Sequence, residues 1–166
     1  MVRLTEEEFM KKYILYSQEL MNISYGYTRN KEDSLDVIQS VFYKYFNYNK
    51  SFPNLNEEKY WLIRVTINEC KDLLKRKSKA TVLDEKTIDY LSQKKESNVI
   101  NSKLIELSEK VNKLPQKYRV VIILFYYDSL SIKEIVEILN ISESAVKKRL
   151  ERGRKILKKE MEVPSC

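Results

Sequence analysis

Apolar residues recur every three or four positions along most of the chain, which is the spacing of one face of an α-helix. The first such series consists of Phe9, Tyr13, Tyr16, Leu20 and Ile23. A second series follows the polar break at residues 29–31, and its members are Ser34, Ile38, Val41, Phe42 and Tyr45. The pattern therefore predicts two consecutive amphipathic helices.

A third helix is predicted from near Asn56, after the turn at residues 51–54, to the basic run at residues 75–77. Its inward positions are Ile63, Ile67, Cys70 and Leu74. We therefore interpret Cys70 as a packing residue and not as a redox sensor. The opposite face carries Trp61, Arg64, Asn68, Lys71 and Lys75. A simple solvated surface does not require that mixture of aromatic and polar side chains.

Residues 79–101 are polar and weakly periodic, which is typical of a flexible linker. The sequence therefore predicts an all-α protein with two small helical domains, residues 1–78 and 102–166. Periodicity resumes with Leu104, Leu107, Val111 and Leu114. Pro115 suits the first turn of a further helix, whose apolar residues include Tyr118, Val121, Ile122 and Phe125.

The last third of the chain carries the strongest local signals for helix ends. Ser131 and Glu134 form a capping box, which opens a short helix with Ile135, Ile138 and Leu139 expected to be buried. Asn140 is a plausible left-handed terminator, and Ser142 can cap the next helix at once. The inward positions of that last helix are Val146, Leu150, Gly153 and Leu157. Together these signals predict a helix-turn-helix.

Composition supports the helical interpretation and excludes several classes of site. The 166 residues include only two glycines and three prolines, so repeated tight hairpins and phosphate-cradling loops are not expected. Histidine is absent and the two cysteines form no C-x-x-C pair, so no catalytic residues, metal ligands or cofactor are predicted. No apolar run suits a signal peptide or a membrane span, which predicts a cytoplasmic protein without membrane insertion.

Positive charge is concentrated near the C-terminus. The formal net charge is +7, and residues 147–159 hold eight basic residues against Glu151 alone. This excess favours an anionic partner, nucleic acid before membrane. A solvated lysine-rich face is the simpler alternative, but the capping box and tight turn favour a helix that enters the major groove.

Two features of the N-terminal half remain open on composition alone. Asp33, Asp36 and Gln39 share one helix face, and without histidine or a third carboxylate an exposed or protein-docking face is favoured over metal or acid–base chemistry. Aromatic residues are dense between positions 42 and 61. We assign Phe42, Tyr45 and Phe46 to the core. Four further aromatic residues flank a loop before a basic helix and suit stacking on unpaired bases: Tyr48, Phe52, Tyr60 and Trp61.

Three segments in order resemble the extracytoplasmic-function group of bacterial RNA polymerase sigma factors. The first, residues 30–42, is similar to the group's acidic helix that ends in a Gln-x-x-Phe-like signature. The second, residues 60–76, is similar to its Trp-Leu…Asn…Asp…Arg helix. The third runs from Leu114-Pro115 through the capping box to residues 146–150 and is similar to its helix-turn-helix.

The resemblance implies a specificity subunit of the polymerase, with no catalytic residues, that recognises and helps to melt the proximal (−10) promoter element and reads the distal (−35) element. Core RNA polymerase would dock on Asp33, Asp36, Gln39 and Ser40. The loop at residues 47–55 would capture a flipped base. The proximal-element contacts would be Asn47, Tyr48, Asn49, Phe52, Tyr60, Trp61, Arg64, Asn68, Lys71, Lys75 and Arg76.

The distal-element contacts are predicted on the last helix. The base-edge candidates are Ser144, Lys147, Lys148, Glu151 and Arg152, the phosphate candidates are Arg149, Arg154 and Lys155, and Ser142 and Ala145 complete the set. Ser144-Ala145 stand where the group often has Gly-Thr, which leaves the preferred bases open. The resemblance also implies promoter DNA and a cognate anti-sigma factor, which can be membrane-bound, as partners.

Two other hypotheses compete with a sigma factor. A stand-alone helix-turn-helix regulator would explain the C-terminal half, but it does not need the acidic face or the aromatic loop. An enzyme acting on nucleic acid lacks histidine, metal-ligand spacing and a glycine-rich phosphate loop.

Overall fold

A computed structural model of the protein describes residues 3–80 and 102–162, and within these ranges it contains seven α-helices and no strand. The chain divides into two compact units, and the dividing point falls among residues 81–101. The all-α prediction is therefore confirmed. All but the first two residues of the predicted linker lie outside the described residues.

The first unit is a bundle of three mutually packed helices, α1 (Glu6–Thr28), α2 (Lys31–Phe46) and α3 (Leu55–Ala80). Its core is built largely from the predicted inward positions, but Leu62 joins them and the predicted Leu74 is only partly buried. The fully buried side chains at its centre are Leu20, Ile23, Val41, Leu62, Ile63, Ile67 and Cys70. Burial raises the pKa of the Cys70 thiol to about 12, and the thiol lies 3.6 Å from the Ser24 Oγ, as expected for a packing residue.

Side-chain caps fix where the first two helices begin. Thr5 and Glu8 form a capping box, in which the Glu8 amide donates to the Thr5 Oγ1 and the Thr5 amide donates to the Glu8 carboxylate. These hydrogen bonds lower the pKa of the Glu8 carboxyl. Arg29 ends α1 in the left-handed region with φ 52°, and the Asn30 side chain caps α2. Two residues therefore suffice to reverse the chain.

The second unit contains α4 (Ser102–Lys113), α5 (Gln116–Ile122), α6 (Ile132–Leu139) and α7 (Glu143–Glu162), with a π-helical segment at Ile123–Tyr127 after α5. Its buried apolar side chains include Val111, Leu114, Val121, Leu124, Ile135, Val146 and Leu150. Helices α5 and α7 pack closely, because a Cβ on Gly153 would lie 3.0 Å from the Ile122 Cγ1. Gly153 is thus a contact point between two helices.

The helix-turn-helix prediction is confirmed in detail. Ser131 and Glu134 form the capping box of α6, and Asn140 ends α6 with φ 54°. The Ser142 Oγ accepts a hydrogen bond of 3.1 Å from the Ala145 amide at the start of α7. The turn between the two helices is therefore closed by a left-handed residue followed at once by an N-cap.

A buried arginine that the sequence did not predict joins α5 to the end of α4. The Arg119 side chain is buried and donates a hydrogen bond of 2.6 Å to the Leu114 carbonyl oxygen. A cation at that place offsets the partial negative charge of the helix C-terminus. Arg119 therefore stabilises the corner that Pro115 begins.

Several expected core positions are wrong. Phe46 is 43% exposed and Tyr13 is 38% exposed, because both lie at the edge where α1 meets α2. Ile138 and Leu139 are partly exposed because α6 is covered by the rest of its unit mainly at Ile135. Phe125 is also partly exposed, in the π-helical segment.

Helix α3 continues to Ala80, three residues beyond the predicted end at residue 77. Lysines are good helix formers, so the basic run extends the helix instead of ending it. In the part of the chain that the structure describes, no helix combines the length and the apolar character needed to cross a membrane.

Candidate nucleic-acid interface

Three aromatic rings, which we call the aromatic cluster, lie together where the chain passes from α2 to α3. Tyr48 and Phe52 belong to the loop between the two helices, and Trp61 belongs to α3. The Tyr48 and Phe52 rings are stacked with centroids 5.0 Å apart, and Trp61 lies 4.6 Å from Tyr48 and 5.7 Å from Phe52. Each side chain is partly exposed. The cluster therefore offers solvent-accessible aromatic surface in a rigid arrangement, as stacking on a base requires.

Tyr45 supports the aromatic cluster from below. Its ring is buried and stacks against Phe52 with centroids 6.4 Å apart, and it lies 6.2 Å from Trp61. The prediction that Tyr45 belongs to the core is confirmed, whereas the loop aromatics lie above it. The cluster is thus an extension of the core toward solvent.

Glu58 anchors this arrangement, although nothing in the sequence pattern indicated it. Its carboxylate accepts hydrogen bonds from the Tyr45 hydroxyl (2.6 Å), the Tyr16 hydroxyl (3.0 Å) and the Lys12 Nζ (2.8 Å). Burial raises the pKa of the Glu58 carboxyl, but the hydrogen bonds from Lys12 and the two tyrosines outweigh burial and lower it. Burial also raises the pKa of both tyrosines, and their hydrogen bonds to Glu58 add to the shift. The group stays ionised and joins all three helices.

A cavity of about 320 Å³ opens beside the aromatic cluster. Glu58 and Lys12 lie in its wall together with residues from the loop. The remaining lining residues are Leu4, Tyr45, Tyr48, Lys50, Ser51, Phe52, Asn54 and Leu55. The cavity is at the lower end of the size range of small-molecule sites, which suits a single base.

The predicted polar face of α3 points to solvent beside the cluster. Its exposed members are Arg64, Asn68, Lys71, Lys75 and Arg76. Tyr60 is partly exposed at the start of the same face, and Asn47 and Asn49 are exposed in the loop. The structure thus brings all the predicted proximal contacts to one end and one face of the first unit.

The predicted acidic face of α2 is only partly free. Asp36 and Gln39 are exposed, whereas the Asp33 carboxylate forms an ion pair with Lys77 of α3. The Ser40 hydroxyl donates a hydrogen bond of 3.0 Å to the Glu69 carboxylate. Asp36 and Gln39 are therefore the positions most accessible to a partner.

An apolar groove, which the sequence pattern did not indicate, runs between α1 and α2 next to that face. The groove is lined by Glu6, Phe9, Met10, Tyr13, Leu35, Ile38, Gln39, Phe42, Tyr43 and Phe46. Met10 and Leu35 are half exposed and Tyr43 is 72% exposed. Exposed apolar residues that lie together are typical of a surface that contacts another macromolecule.

Helix α7 separates a buried face from a basic exposed face. The exposed or partly exposed members of the predicted set are Ser142, Ser144, Ala145, Lys147, Lys148, Arg149, Glu151, Arg152 and Lys155. Lys147 pairs with Glu143 at 2.9 Å and Lys155 pairs with Glu151 at 3.3 Å. Within residues 3–80 and 102–162, Lys148 makes no such ion pair.

Arg154 differs from the other predicted phosphate contacts because it is bound to its own unit. Its Nε donates a hydrogen bond of 2.6 Å to the Tyr126 hydroxyl, and its guanidinium lies 5.6 Å from the Phe125 ring centroid. Arg152 lies beside Tyr118 and lowers the pKa of that phenol. The sequence could not show these contacts, because the aromatic partners lie about thirty residues earlier.

The described residues contain no group of three cysteine, aspartate or glutamate side chains that could hold a metal ion. Comparison with known families instead matches both units. Residues 13–80 match the family model of sigma-70 region 2, and residues 104–157 match that of sigma-70 region 4. The two matches follow one another in the order that the sequence motifs predicted.

Curated relatives and solved structures agree with these matches. The chain is 32% identical to the ECF RNA polymerase sigma factor SigW of Bacillus subtilis, over 89% of this chain and 85% of that protein. It is 29% identical to the sigma factor SigV of the same organism, over 86% of this chain and 84% of SigV.

The fold is similar to that of the sigma factor RpoE in its complex with the anti-sigma factor NepR from Bartonella quintana. The TM-score is 0.71 at 19% sequence identity, and the match covers 96% of this chain and 99% of RpoE. It is also similar to CnrH in complex with the cytosolic domain of CnrY, with a TM-score of 0.63, 19% identity and coverage of 97% and 92%. At this identity the structures show a shared fold. The two region matches and the similarity to SigW show that the chain belongs to the extracytoplasmic-function group of sigma-70 RNA polymerase sigma factors.

Proposed function

We propose that this sigma factor recognises promoters through two separate surfaces, one on each unit, while a third surface holds core RNA polymerase. Sigma factors direct promoter-specific initiation and are not enzymes, so the work of this chain is selective binding. The stand-alone regulator is set aside, because both sigma-70 regions are present in order. The division between the surfaces follows the predicted domains, residues 1–78 and 102–166.

The aromatic cluster and its adjoining cavity are the observation that carries the proposal. A protein that binds only duplex DNA has no use for partly exposed rings beside a base-sized cavity, whereas unpaired bases stack on such rings. Stacking contributes roughly 1 to 3 kcal/mol for each base, and opening a base-pair step costs on the order of 1.4 kcal/mol. A few captured bases therefore offset the opening of a short stretch of the proximal element.

The exposed basic face of α3 would then hold the strand that carries the captured base. Arg64, Lys71 and Lys75 are spaced along one face and point to solvent. Cations at this spacing suit successive phosphates, which position the strand without reading its sequence. The base specificity of the first unit would come from the loop and its cavity.

Helix α7 is proposed to read the distal element in the major groove. Ser142 fixes its start, and Val146, Leu150 and Gly153 hold its inner face against the second unit. Ser144, Lys147 and Lys148 in its first turns would then face base edges, with Arg149 and Lys155 on phosphates. Arg154 is not assigned to a phosphate, because its side chain is hydrogen-bonded to the Tyr126 hydroxyl.

Core RNA polymerase is proposed to bind the outer face of α2. Asp36 and Gln39 are exposed there. Beside them, Asp33 pairs with Lys77 and Ser40 donates a hydrogen bond to Glu69, and both of these partners belong to α3. We also propose a cognate anti-sigma factor, since both similar solved structures are complexes with such proteins or with a partner's cytosolic domain. The protein would act in the cytoplasm, where the polymerase works.

Run-off transcription over a library of genomic fragments tests the proposal, with purified bacterial core polymerase in the presence and absence of the protein. New discrete start sites that share two spaced upstream elements are the expected result. A variant with Lys148 and Arg149 replaced by alanine serves as a matched control that keeps the first unit intact. If no new start site appears while the protein alone retains specific duplexes, the proposed surfaces on the first unit are wrong.

A further inference from the structure

Glu58 is a charged residue in an unusual place. It lies in the first turn of α3 and is only 6% exposed, yet its carboxylate is in the wall of the cavity that adjoins the aromatic cluster. Burying a carboxylate is costly unless donors satisfy it. Lys12 and the buried Tyr16 and Tyr45 supply such donors, and the carboxylate is also in a position to meet a molecule that enters the cavity.

The hydrogen bonds of Glu58 leave room for one more donor. A carboxylate has about four acceptor positions on its two oxygens. Within residues 3–80, Oε2 accepts from Lys12 and Tyr16, while Oε1 accepts from Tyr45 alone. The three donors also hold the carboxylate rigidly, because they come from two other helices. The side chain is therefore a fixed acceptor at the wall of a base-sized cavity.

We propose that Glu58 determines which base the cavity accepts, by taking a hydrogen bond from the exocyclic amino group of adenine or cytosine. Carboxylates accept from such amino groups, whereas thymine has no amino group and presents a carbonyl oxygen at the equivalent position, which the carboxylate repels. This inference rests on the proposed capture of a base by the loop at residues 47–55. It adds the chemical class of base and the residue that selects it.

The surrounding charges fit a neutral base and not a phosphate. The negative charge of Glu58 is balanced by Lys12 at 2.8 Å, so the wall of the cavity carries a closed ion pair. A phosphate would be repelled by the carboxylate, while Lys50 at the rim suits the backbone on either side of the captured base. The base would enter with one face toward the aromatic cluster.

A purely structural role for Glu58 gives a different expectation. If the carboxylate only holds Tyr45 under the aromatic cluster, its loss weakens the platform for every base to the same extent. If Glu58 selects the base, its loss changes the ratio between bases. The ratio is therefore the quantity to measure.

The test uses holoenzyme reconstituted from core polymerase and the full-length protein. Its binding is measured to fork-junction promoter DNA that carries each of the four bases in turn at every unpaired position of the proximal element. At one position the wild-type protein is expected to favour adenine or cytosine about tenfold over thymine, which corresponds to about 1.4 kcal/mol. In Glu58→Gln, whose amide both donates and accepts, that ratio is expected to fall to about twofold or less.

Two controls separate selection from folding. Tyr16→Phe removes one donor from the same carboxylate but leaves the acceptor, so it is expected to keep the base preference. With the wild-type protein, 2-pyrimidinone in place of cytosine, or purine in place of adenine, removes only the amino group and is expected to weaken binding about tenfold. The second control needs no protein variant, so unchanged binding of the amine-free bases contradicts the inference even if Glu58→Gln folds poorly.

Equal weakening for all four bases in Glu58→Gln, or unchanged binding of the amine-free bases, would overturn the inference. A holoenzyme that binds these promoters without any base preference at an unpaired position would also overturn it. A holoenzyme that binds no promoter at all is a different result, because it contradicts the proposed function itself.

Discussion

Replacing Lys148 with alanine is the most direct test of α7 as the distal reading helix. Lys148 is exposed in the second turn of α7, on the side opposite the buried Val146 and Leu150. Because Lys148 is exposed and forms no ion pair within the described residues, its truncation is expected to change the stability of the unit by less than about 0.5 kcal/mol. Any loss of function then reflects a lost contact with DNA.

The magnitude follows from the kind of contact. A cation that reads a base edge contributes about 1 to 3 kcal/mol, which is roughly a 5-fold to 150-fold loss of affinity on the matched promoter. If Lys148 contacts a phosphate instead, its loss lowers the salt dependence of binding. Each such contact contributes a slope of about 0.9, so a fourfold rise in salt weakens binding by about 3.5-fold for each contact.

Fluorescence anisotropy with labelled duplexes, at two salt concentrations, separates the two cases. Lys148→Ala holoenzyme is expected to lose affinity for the matched distal element and to change little on DNA in which that element is scrambled. Lys11→Ala removes a similarly exposed lysine, one paired with Glu7 on the first unit, and is the charge-matched control. Equal losses on both DNAs would refute base reading by Lys148, and loss of polymerase binding would show that the variant is misfolded.

Three further changes probe the first unit. Trp61→Ala is expected to reduce open-complex formation in permanganate footprinting more than closed-complex binding, because a stacked base contributes roughly 1 to 3 kcal/mol. Trp61→Phe keeps an aromatic ring and is expected to retain most of the activity. Equal losses in both assays would show that Trp61 is only a packing residue. Asp36→Lys is expected to abolish pull-down of core polymerase, whereas the neutral Asp36→Asn should weaken it, and unchanged pull-down of both would contradict the docking assignment. In a Cys166→Ser variant, Cys70 is expected to resist alkylation at pH 8 until the protein is unfolded. The reason is that burial raises the pKa of the thiol to about 12, which leaves almost no thiolate at that pH. Rapid alkylation of the native protein would show that the site around Cys70 opens to solvent.

The helix ends were predictable because their signals are local. Ser131 and Ser142 each bond a backbone amide three positions away, and Asn140 acts through its own left-handed conformation, so all three signals are visible in a sequence. The buried stripe of α3 was predictable for the same reason, since Ile63, Ile67 and Cys70 repeat at the helical period. Thr5 gives an equally local signal, with Glu8 three residues on, and it was overlooked among the acidic residues around it.

Glu58 was not predictable from the same pattern. In the sequence it is one of two glutamates in the first turn of a helix, where acidic residues are common because they suit the helix dipole. Its partners Lys12, Tyr16 and Tyr45 lie 46, 42 and 13 residues away, so only the packing of α1 and α2 on α3 brings them together. Phe46 fails for a related reason, because periodicity shows which face a residue is on but not where the neighbouring helix ends.

The close contact at Gly153 also sets the rotational phase of α7. Each residue advances an α-helix by about 100°, so positions can be given as angles from the glycine that touches α5. Ser144, Lys148 and Glu151 then lie about 180°, 140° and 200° from Gly153, on the side of α7 that faces away from α5. One residue inserted between positions 148 and 153 would turn Ser144 and Lys148 by about 100° relative to that contact. The number of residues between the glycine and the DNA-facing side chains is therefore itself a determinant of which side chains reach the groove.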